Sequence, residues 1–211
     1  MQDLSPDPKR GRKVDQVIDG ARTVFMREGF EGASVDAIAR AAGVSKATLY
    51  SYFSDKKQLF LAVAKMECLR QSEAAMELAK SGQSARETMT DIAQRMTAFF
   101  FSDLGKNVFR ICMAESDRFP EIGRTFYQSG PEMARNRVVE YLEGAVEAGE
   151  LNIEDCNLAA DQFAELCKAE IWPRLMFNVI DEVHQDDIDR IIAAAVDMFM
   201  ARYGPSQTIT T

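Results

Sequence analysis

The 211-residue chain has one histidine, one tryptophan and only four cysteines, and nothing arranges these into a reactive site. The cysteines, Cys68, Cys112, Cys156 and Cys167, include no C-x-x-C pair. With His184 as the sole imidazole they make no zinc set. Reduced, buried thiols are the expectation, as is usual for unpaired cysteine. Glu154 and Asp155 beside Cys156 disfavour its thiolate. No nucleophile, base and acid stand in a catalytic series, so neither an enzyme nor a cofactor is expected. Apolar runs fall short of the ~20 residues of a membrane span. The stretch "MQDLSPDPKRGRK" lacks the apolar middle of a signal peptide, which makes a cytoplasmic protein the expectation. Strand-like alternation, internal repeats and low-complexity tracts are missing too.

What is present is helical periodicity throughout. The spacing predicts helices over 13–28, 35–42, 46–53, 56 to about 80, 85–102, 106–117, a short piece near 122–127, one opening at Pro131, one from Asp155 to about 180 broken at Pro173, and one to Tyr203. Gly29 and Gly149 serve as stops and Gly43 as a turn residue. Ser34, Ser45 and Asp55 are good N-caps, and Gln58 completes a capping-box pattern with Asp55. Gly20, inside the first helix, reads as a local weakness.

Charge is uneven. Residues 1–57 hold 10 Lys+Arg against 8 Asp+Glu and the rest 15 against 25, so a head of +2 precedes a body of −10. Only the head is suited to a polyanion. Within it lies "GVSKATLYSYF", residues 43–53, with a lysine, five hydroxyl-bearing side chains and no acid. Two short helices joined by a glycine turn behind a supporting helix make a helix-turn-helix pattern. Val35, Ile38, Ala39, Ala42, Val44, Leu49 and Phe53 are expected to point inward with Phe25 and Phe30. Lys46, Thr48, Tyr50, Ser51 and Tyr52 then point outward. Small and hydroxylated residues let a helix enter a major groove, where a carboxylate would meet phosphates.

The stretch "TVFMREGFEGASVDAIARAAGVSKATLYSYFSDKKQLF" resembles the DNA-binding domain of TetR-family transcriptional regulators. The resemblance rests on Phe25, Gly29–Phe30, Ser34–Val35, Ile38–Ala39, the Ala42–Ser45 series, Leu49–Tyr50, Tyr52–Phe53, Lys56 and Leu59–Phe60. It covers residues 11–71, with the motif at 34–53. Gly20 stands where the family usually has alanine. The resemblance implies an all-α fold of about nine helices, in which a three-helix helix-turn-helix domain over 11–71 precedes a helical effector-binding and dimerisation domain over 72–211. It implies that Lys46, Ala47, Thr48, Tyr50, Ser51 and Tyr52 face DNA, that the cap residue Ser45 stands with them, and that Ser34 and Lys56 hold phosphates. Arg10 and Arg12, in "PKRGRK", are either a minor-groove arm or a solvated basic tail.

The same resemblance implies a homodimer on a palindromic operator, with the last two helices as the interface. Ile188, Ile191, Ile192, Ala195 and Phe199 form the apolar stripe assigned to it. An excess of flexible apolar residues in the body is read as core plus an effector pocket. Met96, Phe99, Phe100, Phe109, Met113, Phe126, Tyr141, Phe163, Trp172 and Phe177 are the candidate lining. Pro173 is expected to leave a carbonyl free near Trp172. Few polar groups accompany these stretches (Tyr127, Tyr141 and Asn178), so a mainly apolar effector ranks first and a cationic one second. The expected function is a repressor released by that effector. The alternative is an effector-independent regulator acting through protein partners.

Overall fold

A computed structural model describes residues 11–66 and 82–205, and all regular structure among them is helical. The chain divides into two compact units between Glu67 and Cys68. The boundary expected at 71/72, the far half of the fourth helix and Cys68 lie outside the described residues.

The first unit contains α1 (Arg12–Gly32), α2 (Val35–Ala41), α3 (Lys46–Tyr52) and α4, described over 56–66. Gly29 adopts φ 70°, so the regular part of α1 ends where the glycine stop was expected. Ser34 and Ser45 cap α2 and α3, accepting hydrogen bonds from the Ala37 and Thr48 amides. Asp55 Oδ1 accepts from the Gln58 amide at 2.8 Å, opening α4. The core is an aromatic triad: Phe60 lies edge-on to both Phe25 and Phe30, with centroids 5.0 Å away in each case. Val17, Ile18, Ile38, Leu49 and Leu59 are buried in the same unit.

The second unit is built from α5 (Ala85–Phe100), α6 (Asp103–Ser116), α7 (Pro120–Ser129), α8 (Pro131–Glu147), α9 (Cys156–Leu166), α10 (Ile171–Met176) and α11 (Gln185–Tyr203). The helices among the described residues fit the expected all-α fold of about nine helices, with some boundaries moved. Ser102 caps α6 and starts it three residues early. The expected long helix from Asp155 breaks ahead of Pro173. Glu170 takes φ 65° and α10 begins at Ile171, so Pro173 sits in a first turn, where a missing N–H costs little. The main core joins α5, α8, α9 and α11 around Met89, Leu142, Phe163 and Phe199. A smaller one packs Phe101, Ile171, Leu175 and Ile191.

Gly20 proves to be a close-approach site rather than a weakness. A methyl group there would lie 2.5 Å from the Ala42 nitrogen and 2.6 Å from its Cα. Alanine would gain about 1 kcal/mol of helix propensity. Overpacking against backbone costs about 1–3 kcal/mol. Gly20→Ala is therefore expected to lower the unfolding midpoint of the first unit. An unchanged or raised midpoint in thermal unfolding would refute the close-approach account.

Candidate functional site

Two places could carry function, one in each unit. In the first, α2, the Gly43 turn and α3 form the helix-turn-helix. Gly43 takes φ 63°, and Val44 donates its amide to the Ala39 carbonyl, closing α2. Leu49 is buried and anchors α3. Lys46, Ala47, Tyr50, Ser51 and Tyr52 are exposed, with Tyr50 at 50%. Thr48 is half-buried, and its hydroxyl lies 2.9 Å from Ser45 Oγ. Ser51 Oγ donates to the Thr48 carbonyl. Several hydroxyls expected to meet DNA are thus already held by local bonds, which fixes their directions. Lys46 Nζ lies 2.7 Å from Asp36 Oδ1, an exposed pair that ties α3 to α2. Phe53, expected inward, is half-buried.

Lys56 departs from its expected role. Its ammonium donates to the Phe30 carbonyl at 2.7 Å and the Ala33 carbonyl at 3.2 Å, and stands 4.5 Å from the centre of the Phe30 ring. It is a cation capping the end of α1, where helix carbonyls are unsatisfied and the dipole is negative. It is not a free phosphate ligand. Arg10 lies outside the described residues, and of Arg12 only the backbone, the first residue of α1, is described.

In the second unit a cavity of about 550 Å³ opens among α5 to α10. Eight of the ten expected side chains line it: Met96, Phe99, Phe100, Phe109, Met113, Phe126, Tyr141 and Trp172. The Trp172 indole packs on Phe109 at 5.0 Å and Phe100 at 6.0 Å, forming an aromatic wall. Two expectations fail. Phe163 is fully buried in the core, 5.1 Å from the Phe199 ring, because its side of α9 faces α11. Phe177 lies beyond the end of α10 and is 81% exposed.

The cavity also has a polar lining that apolar periodicity did not reveal. Arg95, Arg135, Arg137 and Lys168 line it together with Asp161 and Glu165. Charged residues on amphipathic helices ordinarily face solvent, so an apolar pattern passes over them. Lys168 pairs with Glu165 at 2.5 Å and sits over the Phe100 ring. Arg135 is only loosely compensated, with Nη1 3.8 Å from Asp161 and Nη2 4.0 Å from Glu132. Its Nε is buried without a partner, and so is the Tyr141 hydroxyl. Burial pushes the Tyr141 phenol above its ordinary range, opposed by the nearby Thr88 hydroxyl and reinforced by Glu150. Thr88 does not reach hydrogen-bonding geometry with it, so Tyr141 stands as a neutral O–H group. Asn178, expected near the cavity, instead accepts from Arg110 Nη2 at 2.6 Å.

The stripe expected at a subunit interface is turned inward. Ile191, Ile192, Ala195 and Phe199 are buried within the chain itself, and Ile188 packs half-buried on both cores. They pack in the two cores of the unit, so they cannot be the outer face of α11. That outer face carries Ala194, Met198 and Ala201, with Met198 60% exposed. Cys112 and Cys167 are buried as expected, and burial raises the Cys167 thiol to about 12.

Residues 17–63 match the family model described as bacterial regulatory proteins, tetR family. Residues 87–205 match the C-terminal domain of AefR-like transcriptional repressors. A solved TetR-family transcriptional regulator from Mesorhizobium loti is 25% identical, covers 94% of this chain and 100% of its own, and superposes with a TM-score of 0.78. The flavonoid-responsive regulator FrrA is 35% identical over 93% of this chain and 99% of its own, with a TM-score of 0.63. The repressor AcnR of Corynebacterium efficiens is 37% identical over 62 residues, 29% of this chain and 33% of that protein. The chain thus spans about a third of the length of the curated relative it matches there. The chain belongs to the TetR family of transcriptional regulators, which are DNA-binding proteins and not enzymes.

The internal placement of Lys56 has a direct consequence. Removing its ammonium leaves the Phe30 and Ala33 carbonyls without their donor, and hydrogen bonds to a charged group are worth about 1.5–3 kcal/mol. Lys56→Met is expected to destabilise the first unit by about that amount in denaturant titration. A variant of unchanged stability with a flattened salt dependence of DNA binding would restore the phosphate-contact role.

Proposed function

We propose that this TetR-family member is a homodimeric repressor that holds a palindromic operator through α3 and releases it when a small, mainly apolar effector fills the cavity of the second unit. On this reading residues 11–71 bind DNA, residues 72–211 bind the effector and dimerise, and the protein works in the cytoplasm. The observation that carries the reading is the acid-free exposed face of α3, with Lys46, Ala47, Tyr50, Ser51 and Tyr52 turned outward around a buried Leu49. Ser34 and Ser45 sit at the N-termini of α2 and α3, where helix amides favour phosphate. The cavity, about 550 Å³ with an aromatic wall, supports an effector over a purely protein-mediated mechanism. FrrA, named as flavonoid-responsive, lends the same support at 35% identity.

The dimer contact moves to the outward faces of α9 and α11. Leu158, Ala194, Met198 and Ala201 are exposed there, and small residues around a methionine allow two helices to approach closely. A two-fold pair of such faces suits an inverted-repeat operator. An effector acts by binding more tightly to the arrangement that cannot hold DNA. Reversing occupancy from 99:1 to 1:99 requires about 5.5 kcal/mol of such preference.

Selection of bound sequences from a random duplex pool is expected to yield an inverted repeat, and a pool without dyad symmetry would refute the dimeric operator. Tyr50→Ala is expected to weaken specific binding by about 1–3 kcal/mol and leave nonspecific binding nearly unchanged. Equal operator affinity in a folded variant would remove Tyr50 from the interface. Met198→Glu is expected to sediment as a monomer, since it places a charge in an apolar contact. An unchanged dimer would move the interface off α11.

A further inference from the structure

We infer that the effector is a flat aromatic molecule carrying an acidic oxygen, bound with that oxygen at Arg135 and its rings against Phe100, Phe109 and Trp172. This deepens the ligand-binding reading above and rests on it. A guanidinium offers five N–H donors in a planar fork suited to oxyanions. Arg135 makes no hydrogen bond among the described residues. Asp161 and Glu132, at 3.8 and 4.0 Å, balance part of its charge from beyond hydrogen-bonding distance, and both face its Nη atoms. The Nε donor is buried without a hydrogen-bond partner, and Arg135 lines the cavity. A buried donor without a partner is costly, so such groups generally have one, and here the cavity is where it would come from.

Arrangement along α8 sets the ligand's length. Tyr141, whose hydroxyl is also buried and unpaired, follows Arg135 by six residues, about 9 Å along the helix axis. Ala134 and Val138 line the cavity between them as an apolar floor. The ligand therefore has an acidic oxygen at one end and a second polar atom at the other, with an apolar flat body between. A cationic ligand is disfavoured, because four cationic side chains line the cavity against two acidic ones.

Three probes sharing one body test this in the full chain: biphenyl-4-carboxylic acid, its methyl ester and biphenyl-4-methylamine. Binding is read from the fluorescence of Trp172, the only tryptophan. The acid is expected to bind about 10- to 100-fold more tightly than the ester, as charge-assisted hydrogen bonds do, and the amine least tightly. Arg135→Gln should abolish the acid-over-ester ratio and leave the ester affinity in place. Tyr141→Phe should keep that ratio. If Arg135→Gln fails to fold, Arg135→Lys, which keeps charge but loses the Nε donor, should still cut the ratio about tenfold. Equal binding of acid and ester, preference for the amine, no saturable binding, or a ratio that survives at position 135 would each overturn the proposal. Operator release, measured in parallel, separates this from the broader reading. Arg135-dependent acid binding without release would leave the acid site standing and remove the effector role. Release by acid and ester alike would do the reverse.

Discussion

Where α1 passes the turn between α2 and α3, the two backbones come closer than any side chain would permit. Gly20 meets Ala42 there, and a β-carbon would stand 2.6 Å from the Ala42 Cα. The turn that follows, with Gly43 in the left-handed region, starts α3 at Ser45. So the seating of α1 on the turn decides the angle at which α3 leaves the unit. Lys56 secures the other end of the same support. Its ammonium gathers the carbonyls of Phe30 and Ala33 and lies on the Phe30 ring, which packs on Phe60 of α4. One glycine and one lysine, neither on the exposed face, hold the scaffold on which that face depends. A face that must meet a rigid duplex gains from support of this kind, because positional error at the base edges directly weakens short-range contacts.

The local grammar of the chain was legible because it is written in caps and stops. Ser34, Ser45 and Asp55 act through a side-chain oxygen on an amide three residues on, Pro131 and Gly149 through their own backbone geometry, and each stands at the expected boundary. What periodicity could not reveal was which neighbour covers an apolar stripe. Ile191, Ile192, Ala195 and Phe199 look the same whether they face a second subunit or the rest of their own. Here the main core with α5, α8 and α9 already covers Ile192, Ala195 and Phe199, and the smaller core with Phe101, Ile171 and Leu175 covers Ile191. The same ambiguity misplaced Phe163. Lys56 was misread for a different reason. A family position says where a residue stands, while the carbonyls it serves, 23 and 26 residues earlier, come together only in the fold.

Arginines lining a cavity escape detection from sequence because a charged residue on an amphipathic helix is assigned to water by default. On α8, Ala134, Val138 and Tyr141 share the cavity face, and Arg135, the position next to Ala134, also lines the cavity. Its aliphatic stem can cover apolar surface while the guanidinium stays near Asp161. The cavity is therefore not uniformly greasy, as its phenylalanines alone suggested. It has an aromatic wall on one side and a polar rim along α8 and α9.

That wall is also mechanically placed. Trp172 belongs to α10, a helix of only six residues, and Leu175 and Met176 near its end present carbonyls to Arg110 of α6. Arg110 Nη2 also donates to Asn178 Oδ1, and Asn178 itself holds φ 53° just past the helix. Phe109, adjacent to Arg110 on α6, meets the Trp172 ring edge-on. So α6 grips α10 twice, once by an aromatic contact inside the cavity and once by hydrogen bonds at the helix end. A short helix held this way shifts as a body rather than by bending. A ligand that displaces Trp172 must therefore carry α6 with it or break the Arg110 bonds. Packed elements of this kind have discrete alternative positions rather than a continuous range, which is the property a ligand-operated switch requires.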